Sequence, residues 1–186
     1  NFEKAAELTH FIRQNEPDGV TVSVGGEVGE VGGKNTTIEE AETFIENFDE
    51  KLSSLGENLA GISKLSIQTG TSHGGVVLPD GTMAQVSIDF DALRTISDLC
   101  RTKYGLSGAV QHGASTLPEE AFDQFVKSGA SEVHLATAFQ NMIYERLPKD
   151  LFMDMRSWVL ETFEGSRKEG DTDEQLFYKE RKRAFG

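Results

Sequence analysis

The sequence has little cysteine, little positive charge and no long apolar run. Its one cysteine, Cys100, has no second cysteine with which to form a disulfide or a metal site, so we interpret it as a buried thiol in a reducing compartment. Aspartate and glutamate outnumber lysine and arginine by 31 to 18. The resulting net charge of −13 argues against nucleic acid or an anionic membrane as the main partner. No apolar run approaches the roughly 18 residues of a membrane span, and no signal peptide is visible, so we expect a cytoplasmic protein.

The length and composition are those of one soluble globular domain. The 186 residues are 37% hydrophobic and 26% charged, which is enough to build a buried core. The chain starts at Asn1 within an amphipathic pattern rather than at a methionine. We therefore expect a fragment of a longer protein.

Short apolar runs alternate with longer helical patterns along the chain. The predicted strands are Val20–Val24, Lys64–Thr69, Ser107–Gln111 and Glu132–Ala136. The helix after the first strand carries a 3.6-residue apolar stripe, and Thr37 with Glu40 is typical of a capping box at its start. This alternation predicts a parallel sheet covered by helices, either a doubly wound open sheet or a (β/α)8 barrel. A complete barrel needs about 250 residues, so four units would form half of one.

The end of the chain has a different character. The pattern of residues 141–163 is helical on both sides of Pro148, and we expect residues 141–186 to be a helical extension of the domain formed by residues 1–140. The short basic run Lys179–Arg183 lies within an acidic chain, and we interpret it as a solvated helix face rather than a binding patch.

Polar residues follow each predicted strand, where active sites lie in parallel α/β folds. The first strand is followed by Glu27, the second by His73 and the third by His112, and each of these histidines precedes a glycine. Two imidazoles and a carboxylate at one edge form the ligand set of a catalytic zinc site. His134 lies within the fourth strand, where it is either directed into the barrel interior or is a satisfied core histidine.

The glycines at these strand ends indicate a second kind of site. Gly74 and Gly113 let the backbone approach a ligand, Ser115 follows in the third loop, and Thr137 adds a hydroxyl after the fourth strand. Backbone N–H groups together with a helix N-terminus are typical of a phosphate site.

The segments VSVGGEVGEVGG, GTSHGG, VQHGAS and VHLAT, in this order and spacing, resemble the class II, metal-dependent fructose-bisphosphate and tagatose-bisphosphate aldolases. The resemblance spans about residues 20–140 and implies the second half of a (β/α)8 barrel, strands five to eight. It implies metal ligation by His73, His112 and Glu27, with zinc or another divalent ion as the cofactor. It also implies phosphate contacts from Gly74, Gly113, Ser115 and Thr137.

The chain also departs from this family pattern. The family has a glutamate where Gly25 stands, an acidic residue near Asn35 and a substrate-contacting asparagine where His134 stands. The resemblance therefore implies a substrate contact for His134, and it places a further zinc-binding histidine and the general base, an aspartate, upstream of this chain.

Three functional hypotheses follow. The first is a zinc-dependent lyase of carbohydrate metabolism, such as glycolysis, that cleaves a phosphorylated ketose while the metal stabilises the enediolate. The second is a barrel of the same family that binds a sugar phosphate without turnover. The third is a half-barrel that associates with another chain, because its open sheet edges need partners. The resemblance also implies a homo-oligomer, a dimer or a tetramer.

Overall fold

A parallel four-stranded sheet lies at the centre of the structure, with its strands in the order β1-β2-β3-β4. The computed structural model describes residues 1–29, 33–71, 77–82, 84 and 87–185, with the backbone alone at Thr116. The strands are Gly25–Glu27 (β1), Lys64–Ile67 (β2), Ala109–Gln111 (β3) and Glu132–Val133 (β4). The helices are Phe2–Asn15 (α1), Ile38–Leu55 (α2), Phe90–Tyr104 (α3), Phe122–Lys127 (α4), Thr137–Arg146 (α5), Lys149–Thr162 (α6) and Asp173–Glu180 (α7). Short 3₁₀ turns occupy Ala114–Thr116, Glu119–Ala121, Glu164–Ser166 and Arg181–Phe185.

The predicted α/β alternation is confirmed, with four parallel strands separated by helices. The strand register places Glu27, Ser66, Val110 and Glu132 side by side across the sheet. Neighbouring strands follow one another along the chain, so the described sheet lacks the reversal of strand order that marks a doubly wound fold.

The first strand lies later in the chain than its sequence pattern predicts. Residues 20–24 do not form a strand, and β1 begins at Gly25. The backbone of Val22 pairs with two side chains of the preceding segment instead of a strand. The Glu16 carboxylate accepts from its N–H at 2.8 Å, and Arg13 donates to its carbonyl at 2.8 Å. Val20 and Val22 are exposed, since no described strand lies beside this segment.

The fourth strand is shorter than predicted, since β4 ends at Val133. The His134 N–H still donates to the Gln111 carbonyl at 2.9 Å, which extends the pairing by one residue. The chain then turns into α5 at Thr137. His134 consequently stands at the end of the strand rather than inside it.

Helix α2 forms as its sequence predicts. The Thr37 side chain accepts from the Glu40 N–H at 3.2 Å, and the Glu40 carboxylate accepts from the Thr37 N–H at 3.0 Å, which confirms the capping box. Except for Ile38, the apolar stripe of α2 is buried in a core that also includes residues of α1 and of the strands. Gly26 permits this close packing, because a Cβ at that position would lie 2.5 Å from the Phe44 ring. The largest wholly buried side chains are Phe48, Phe125, Ile45, Leu65, Ile67, Leu93 and Ile96.

The C-terminal part is helical on both sides of Pro148, as predicted, and α7 is capped by Thr172. Gln175 donates to the Val77 carbonyl at 3.1 Å and Thr172 donates to the Pro79 carbonyl at 3.2 Å. These bonds attach α7 to the segment at residues 77–82. None of the helices in the described part of the chain has the length and apolar character needed to cross a membrane.

Replacing the buried ring of Phe48 tests the core between α2 and the sheet. Phe48 is fully buried, so Phe48→Ala leaves a cavity and is expected to lower the free energy of unfolding by about 3–5 kcal/mol. Phe11 on α1, which is 60% exposed, provides the control. Phe11→Ala is expected to change the free energy of unfolding by about 0.5 kcal/mol or less. Urea denaturation followed by circular dichroism measures both. Equal effects of the two substitutions would contradict the described core.

The thiol of Cys100 is expected to be unreactive in the folded protein. Its burial in α3 raises the pKa of the thiol to about 11, so the thiolate fraction at pH 8 is about one in a thousand. Ellman's reagent should therefore react with the chain only after denaturation in guanidinium chloride. Complete reaction of the native protein within minutes would show that this face of α3 is open.

Candidate active site

Glu27 and His112 meet at the carboxyl edge of the sheet. Glu27 is the last residue of β1, and His112 directly follows β3. Glu27 Oε1 lies 3.3 Å from His112 Nδ1, although the two residues are far apart along the chain. The parallel pairing of β1, β2 and β3 therefore brings together two of the predicted metal ligands.

The second ring nitrogen of His112 faces a different set of groups. Its Nε2 lies 2.8 Å from Nδ1 of His134 and 3.2 Å from Oγ of Ser66. The two imidazole rings stack with centroids 4.7 Å apart and planes inclined by 27°. His134 thus lies at the site beside His112, with about half of its side chain exposed to the cavity described below.

Glu132 connects His134 to a lysine on β2. His134 Nε2 lies 2.8 Å from Glu132 Oε2, and Lys64 forms an ion pair with Glu132 Oε1. The hydrogen bond from Lys64, and next that from His134, lower the pKa of the Glu132 carboxyl below its ordinary value. One line of polar contacts therefore runs from Lys64 through Glu132, His134 and His112 to Glu27.

Buried polar side chains hold the loop that carries His112. Thr69 donates to Gln111 Oε1 at 2.7 Å, and Gln111 Nε2 donates to Thr71 Oγ1 at 3.1 Å. The His112 carbonyl accepts from both Gln111 Nε2 at 2.6 Å and Thr71 Oγ1 at 2.8 Å. Because Gln111, Thr69 and Thr71 are buried, these bonds fix the backbone at the end of β3 relative to the end of β2.

The predicted phosphate residues lie beside this edge. Gly113 has a left-handed backbone conformation (φ 71°), which explains why glycine follows His112. The Ser115 hydroxyl accepts from the Ala136 N–H at 3.0 Å, which ties the loop after β3 to the loop after β4. Thr137 is the first residue of α5, so it lies at the positive end of the helix dipole.

A cavity of about 930 Å³ unites these groups. It is lined by Glu27, His112, Gly113, Ser115, His134 and Thr137, together with four cationic side chains. The cations are Lys168, Lys179, Arg181 and Lys182, all from the C-terminal segment. The cavity therefore offers positive charge beside the N-terminus of α5, and that combination suits an anionic ligand.

The cationic residues are the part of the site that sequence reasoning missed. The interpretation of residues 179–183 as a solvated face is wrong for Arg181, which is 9% exposed. Its guanidinium lies 4.5 Å from the ring centroid of Tyr144 and 3.9 Å from that of Tyr178, and it donates to Asn141 Oδ1 at 2.5 Å. Lys182, the next residue along the chain, lines the cavity. The signal was the basic run itself, but only the packing of α7 shows which surface it faces.

The donor atoms of Glu27 and His112 fit two positions of a tetrahedral zinc site. Zinc bonds of about 2.0–2.2 Å place neighbouring ligand atoms roughly 3.3–3.6 Å apart, and the observed separation is 3.3 Å. Within the described residues no group of three His, Cys, Asp or Glu side chains is arranged to hold a metal. His73, the other predicted ligand, lies outside the described residues, as does Gly74.

Two positions where the chain departs from the aldolase pattern have structural roles. A Cβ at Gly25 would lie 3.3 Å from Lys64 Cγ, so this glycine makes room for the lysine that pairs with Glu132. Asn35 donates to Asp89 Oδ2 at 3.1 Å, next to the start of α3. In the described structure Asn35 does not line the cavity.

Comparison with known proteins gives two positive findings. The family model for class II fructose-bisphosphate aldolase matches residues 1–181. Among solved structures, the chain is similar to the YdjI aldolase from Escherichia coli K12, with 14% identity and a TM-score of 0.42 over 99% of this chain and 53% of that one. The chain thus spans about half the length of that structure. No curated protein matches the sequence.

The family match covers nearly the whole chain, including every strand and the loops that carry Glu27, His112 and Thr137. Members of this family are lyases and typically depend on zinc. The chain belongs to the class II fructose-bisphosphate aldolase family.

Proposed function

We propose that the chain forms half of a (β/α)8 barrel, strands five to eight, of an aldolase that cleaves a phosphorylated ketose reversibly. The observation that carries this proposal is the cavity that joins Glu27 and His112 to the N-terminus of α5 and to a cluster of cations. A ketose phosphate has a carbonyl for the first group and an anion for the second. The sequential strand order supports the half-barrel, because consecutive strands are neighbours in a barrel.

The phosphate end of the substrate is assigned to the loops after β3 and β4. Gly113 and Ser115 come from one loop and Thr137 from the other, and the hydrogen bond from Ala136 to Ser115 holds the two loops together. In (β/α)8 barrels the loops after the last two strands commonly bind phosphate. We assign Gly74 to the same phosphate site on the resemblance alone.

The carbonyl end is assigned to the metal ligands His112, Glu27 and His73. When bound, zinc polarises the ketose carbonyl and stabilises negative charge that develops on the substrate oxygen. The chain's own residues hold the ligands in place, since the bonds of Gln111 and Thr71 fix the His112 backbone. His134 lies beside this end and contacts the substrate in our proposal. The general base is an aspartate in the other half of the barrel.

A second candidate is binding of a sugar phosphate without turnover. Gly25 and Asn35 favour it, because the family's acidic side chains are absent at both positions while the cationic cavity is present. In this case the site binds the phosphate group of the sugar but does not catalyse proton transfer. Release of product from substrate distinguishes the two candidates.

The assembly that we propose is an oligomer, a homo-dimer or homo-tetramer of the complete barrel, in the cytoplasm. In the described residues β1 and β4 each pair with one strand only, so each leaves an edge for further strands. Large apolar side chains on α5 and α6 are also exposed, among them Phe139, Met142, Ile143 and Trp158. Such surfaces are typical of contacts with further protein.

The zinc dependence of aldol cleavage tests the proposal that the protein is an enzyme. In the complete protein that contains this chain, fructose 1,6-bisphosphate with zinc should yield triose phosphate, detected by coupled oxidation of NADH, and a chelator should abolish the product. His112→Ala removes a ligand and is expected to weaken zinc binding by at least about 100-fold, whereas His10→Ala on α1 should leave it unchanged. Full activity without zinc, or unchanged zinc affinity in His112→Ala, would refute the assignment. A thermal shift with the sugar phosphate but no product would favour the binding protein.

Removing positive charge from the cavity tests the assignment of the anionic end. The double substitution Lys179→Gln with Lys182→Gln is expected to weaken binding of the ketose phosphate about 3- to 10-fold, because it removes two attractions to the anion. The loss should shrink at high salt. Lys127→Gln on α4, paired with Asp123 outside the cavity, is the control. Isothermal titration calorimetry measures each affinity, and equal affinities for all three proteins would place the anion elsewhere.

A further inference from the structure

A short turn in the connection between β2 and α3 lies against the first turn of α7. Residues 77–82 form this turn, in which the Gly81 N–H donates to the Leu78 carbonyl at 2.9 Å and the Leu78 N–H donates to the Thr82 carbonyl at 2.7 Å. Residues 78–82 are exposed, so burial contributes little to holding the turn in place. Hydrogen bonds to α7 are therefore expected to matter more for its position.

Thr172 and Gln175 each make two kinds of contact. Within α7 they form a capping box, in which Gln175 Oε1 accepts from the Thr172 N–H at 3.0 Å and the Thr172 hydroxyl accepts from the Gln175 N–H at 3.4 Å. Toward the turn both side chains donate. Gln175 Nε2 donates to the Val77 carbonyl at 3.1 Å, and the Thr172 hydroxyl donates to the Pro79 carbonyl at 3.2 Å. The residues that cap the helix thus also bind the turn.

The direction of these hydrogen bonds follows from their partners. The Thr172 N–H can only donate and the Val77 carbonyl can only accept, so a reversed Gln175 amide would face a donor with its NH2 group and an acceptor with its oxygen. The Thr172 hydroxyl has one hydrogen, and the Pro79 carbonyl is a nearer acceptor than Gln175 Oε1, which is 3.4 Å away. Each side chain therefore accepts on the helix side and donates on the turn side.

Helix α7 is itself packed onto the helices that precede it. Leu176 and Phe177 are buried. The ring centroid of Phe177 lies 5.5 Å from that of Phe152 on α6 and 6.4 Å from that of Tyr144 on α5. The turn is therefore attached to an element that the helical C-terminal part holds in place.

The attached turn borders two cavities. Val77 lines the cavity of the candidate active site and also a second cavity, of about 610 Å³, between α5, α6 and α7. Tyr178 and Arg181 line both cavities as well, so Val77 and the end of α7 belong to a wall that the two cavities share. Val77 also follows the predicted site residues His73 and Gly74 closely in the sequence. The position of the turn therefore affects one wall of the candidate active site.

We propose that Thr172 and Gln175 are positioning residues, whose two hydrogen bonds to residues 77–82, here called the latch, hold this wall of the candidate active site in place. The latch is separable from the helix cap, because the cap uses the acceptor atoms of the two side chains and the latch uses their hydrogens. A ligand that contacts the wall favours the attached form of the turn over a detached form. The effect on a ketose phosphate rests on the proposed function, whereas the latch itself does not.

The double substitution Thr172→Asp with Gln175→Glu separates the two roles. Carboxylates accept hydrogen bonds and are favoured at the start of a helix, so the cap of α7 is retained. They cannot donate to a carbonyl, so the latch is lost. Hydrogen exchange is measured by mass spectrometry in the complete protein that contains this chain. It is expected to become about 5- to 50-fold faster in residues 77–82 and to stay within about twofold in α7.

Two variants serve as controls for this measurement. Thr172→Ser keeps a hydroxyl that can both accept and donate, so exchange of the turn should stay within about twofold. Thr43→Asp with Gln124→Glu makes the same charge change at exposed positions on α2 and α4, and it should leave the turn unaffected. Unchanged exchange of the turn in the double variant of α7, or an equal increase in the turn and in α7, would overturn the latch.

The affinity for fructose 1,6-bisphosphate, measured by isothermal titration calorimetry, provides a second readout. In the described structure Thr172 does not line the cavity, so Thr172→Asp removes one bond of the latch without changing a residue of the cavity wall. It is expected to weaken binding about 2- to 10-fold, and Thr172→Ser should retain binding within about twofold. The loss should persist at high salt, which would screen repulsion by the added charge. Saturating bisphosphate should in turn slow exchange of the turn in the unaltered protein.

The outcomes separate this inference from the proposed function. Release of the turn in the double variant, with bisphosphate bound as tightly by Thr172→Asp as by the unaltered protein, would contradict the positioning role. An unaltered protein that binds no bisphosphate would refute the proposed function and the role of the latch in ligand binding. Exchange of the turn in the double variant would still decide whether the latch holds it.

Discussion

The parallel register of β1 to β4 is the constraint on which the candidate site depends. It aligns Glu27, Ser66, Val110 and Glu132 across the sheet, so side chains from four separate segments meet at one edge. No local sequence feature could bring Glu27 within 3.3 Å of His112. A shift of one residue in the pairing of β1 with β2, or of β2 with β3, would move a side chain to the opposite face of the sheet and separate Glu27 from His112. The chemistry of the edge is therefore a consequence of backbone hydrogen bonds in the core.

The distribution of charge reconciles an acidic chain with the anionic ligand that we propose. The net charge of −13 disfavours anions near most of the surface, yet the cavity gathers four cations from the C-terminal segment. Arg181 contacts the rings of Tyr144 and Tyr178, and among the residues that the structure describes no carboxylate forms an ion pair with it. Attraction within the cavity acts over a few ångströms, whereas the more distant acidic surface is screened by salt. The position of the four cations around the cavity therefore matters more for binding an anion there than the net charge of the chain.

Features set by nearby residues were predictable from the sequence, and those set by distant residues were not. The capping box of Thr37 and Glu40 and the helix break at Pro148 depend on neighbours along the chain, and both predictions are confirmed. The first strand was misplaced because the pairing of Val22 with Arg13 and Glu16 cannot be seen in an apolar run. The cationic wall was missed because its position depends on how α7 packs. The predicted roles of Glu27, His112 and Thr137 stay predictions, although the structure places all three on one cavity.

The short fourth strand explains how one connection can serve both ends of the proposed substrate. Had the strand continued to Ala136, as predicted, α5 would begin farther from the sheet edge. Instead the chain leaves the sheet at Val133, and only His134, Leu135 and Ala136 precede the helix. His134 contacts His112, a proposed metal ligand, while the Ala136 N–H donates to Ser115 and Thr137 begins α5 beside the proposed phosphate loops. A displacement of this connection would therefore disturb both ends together, so in the function that we propose one short connection contributes to the carbonyl end and to the phosphate end of the site.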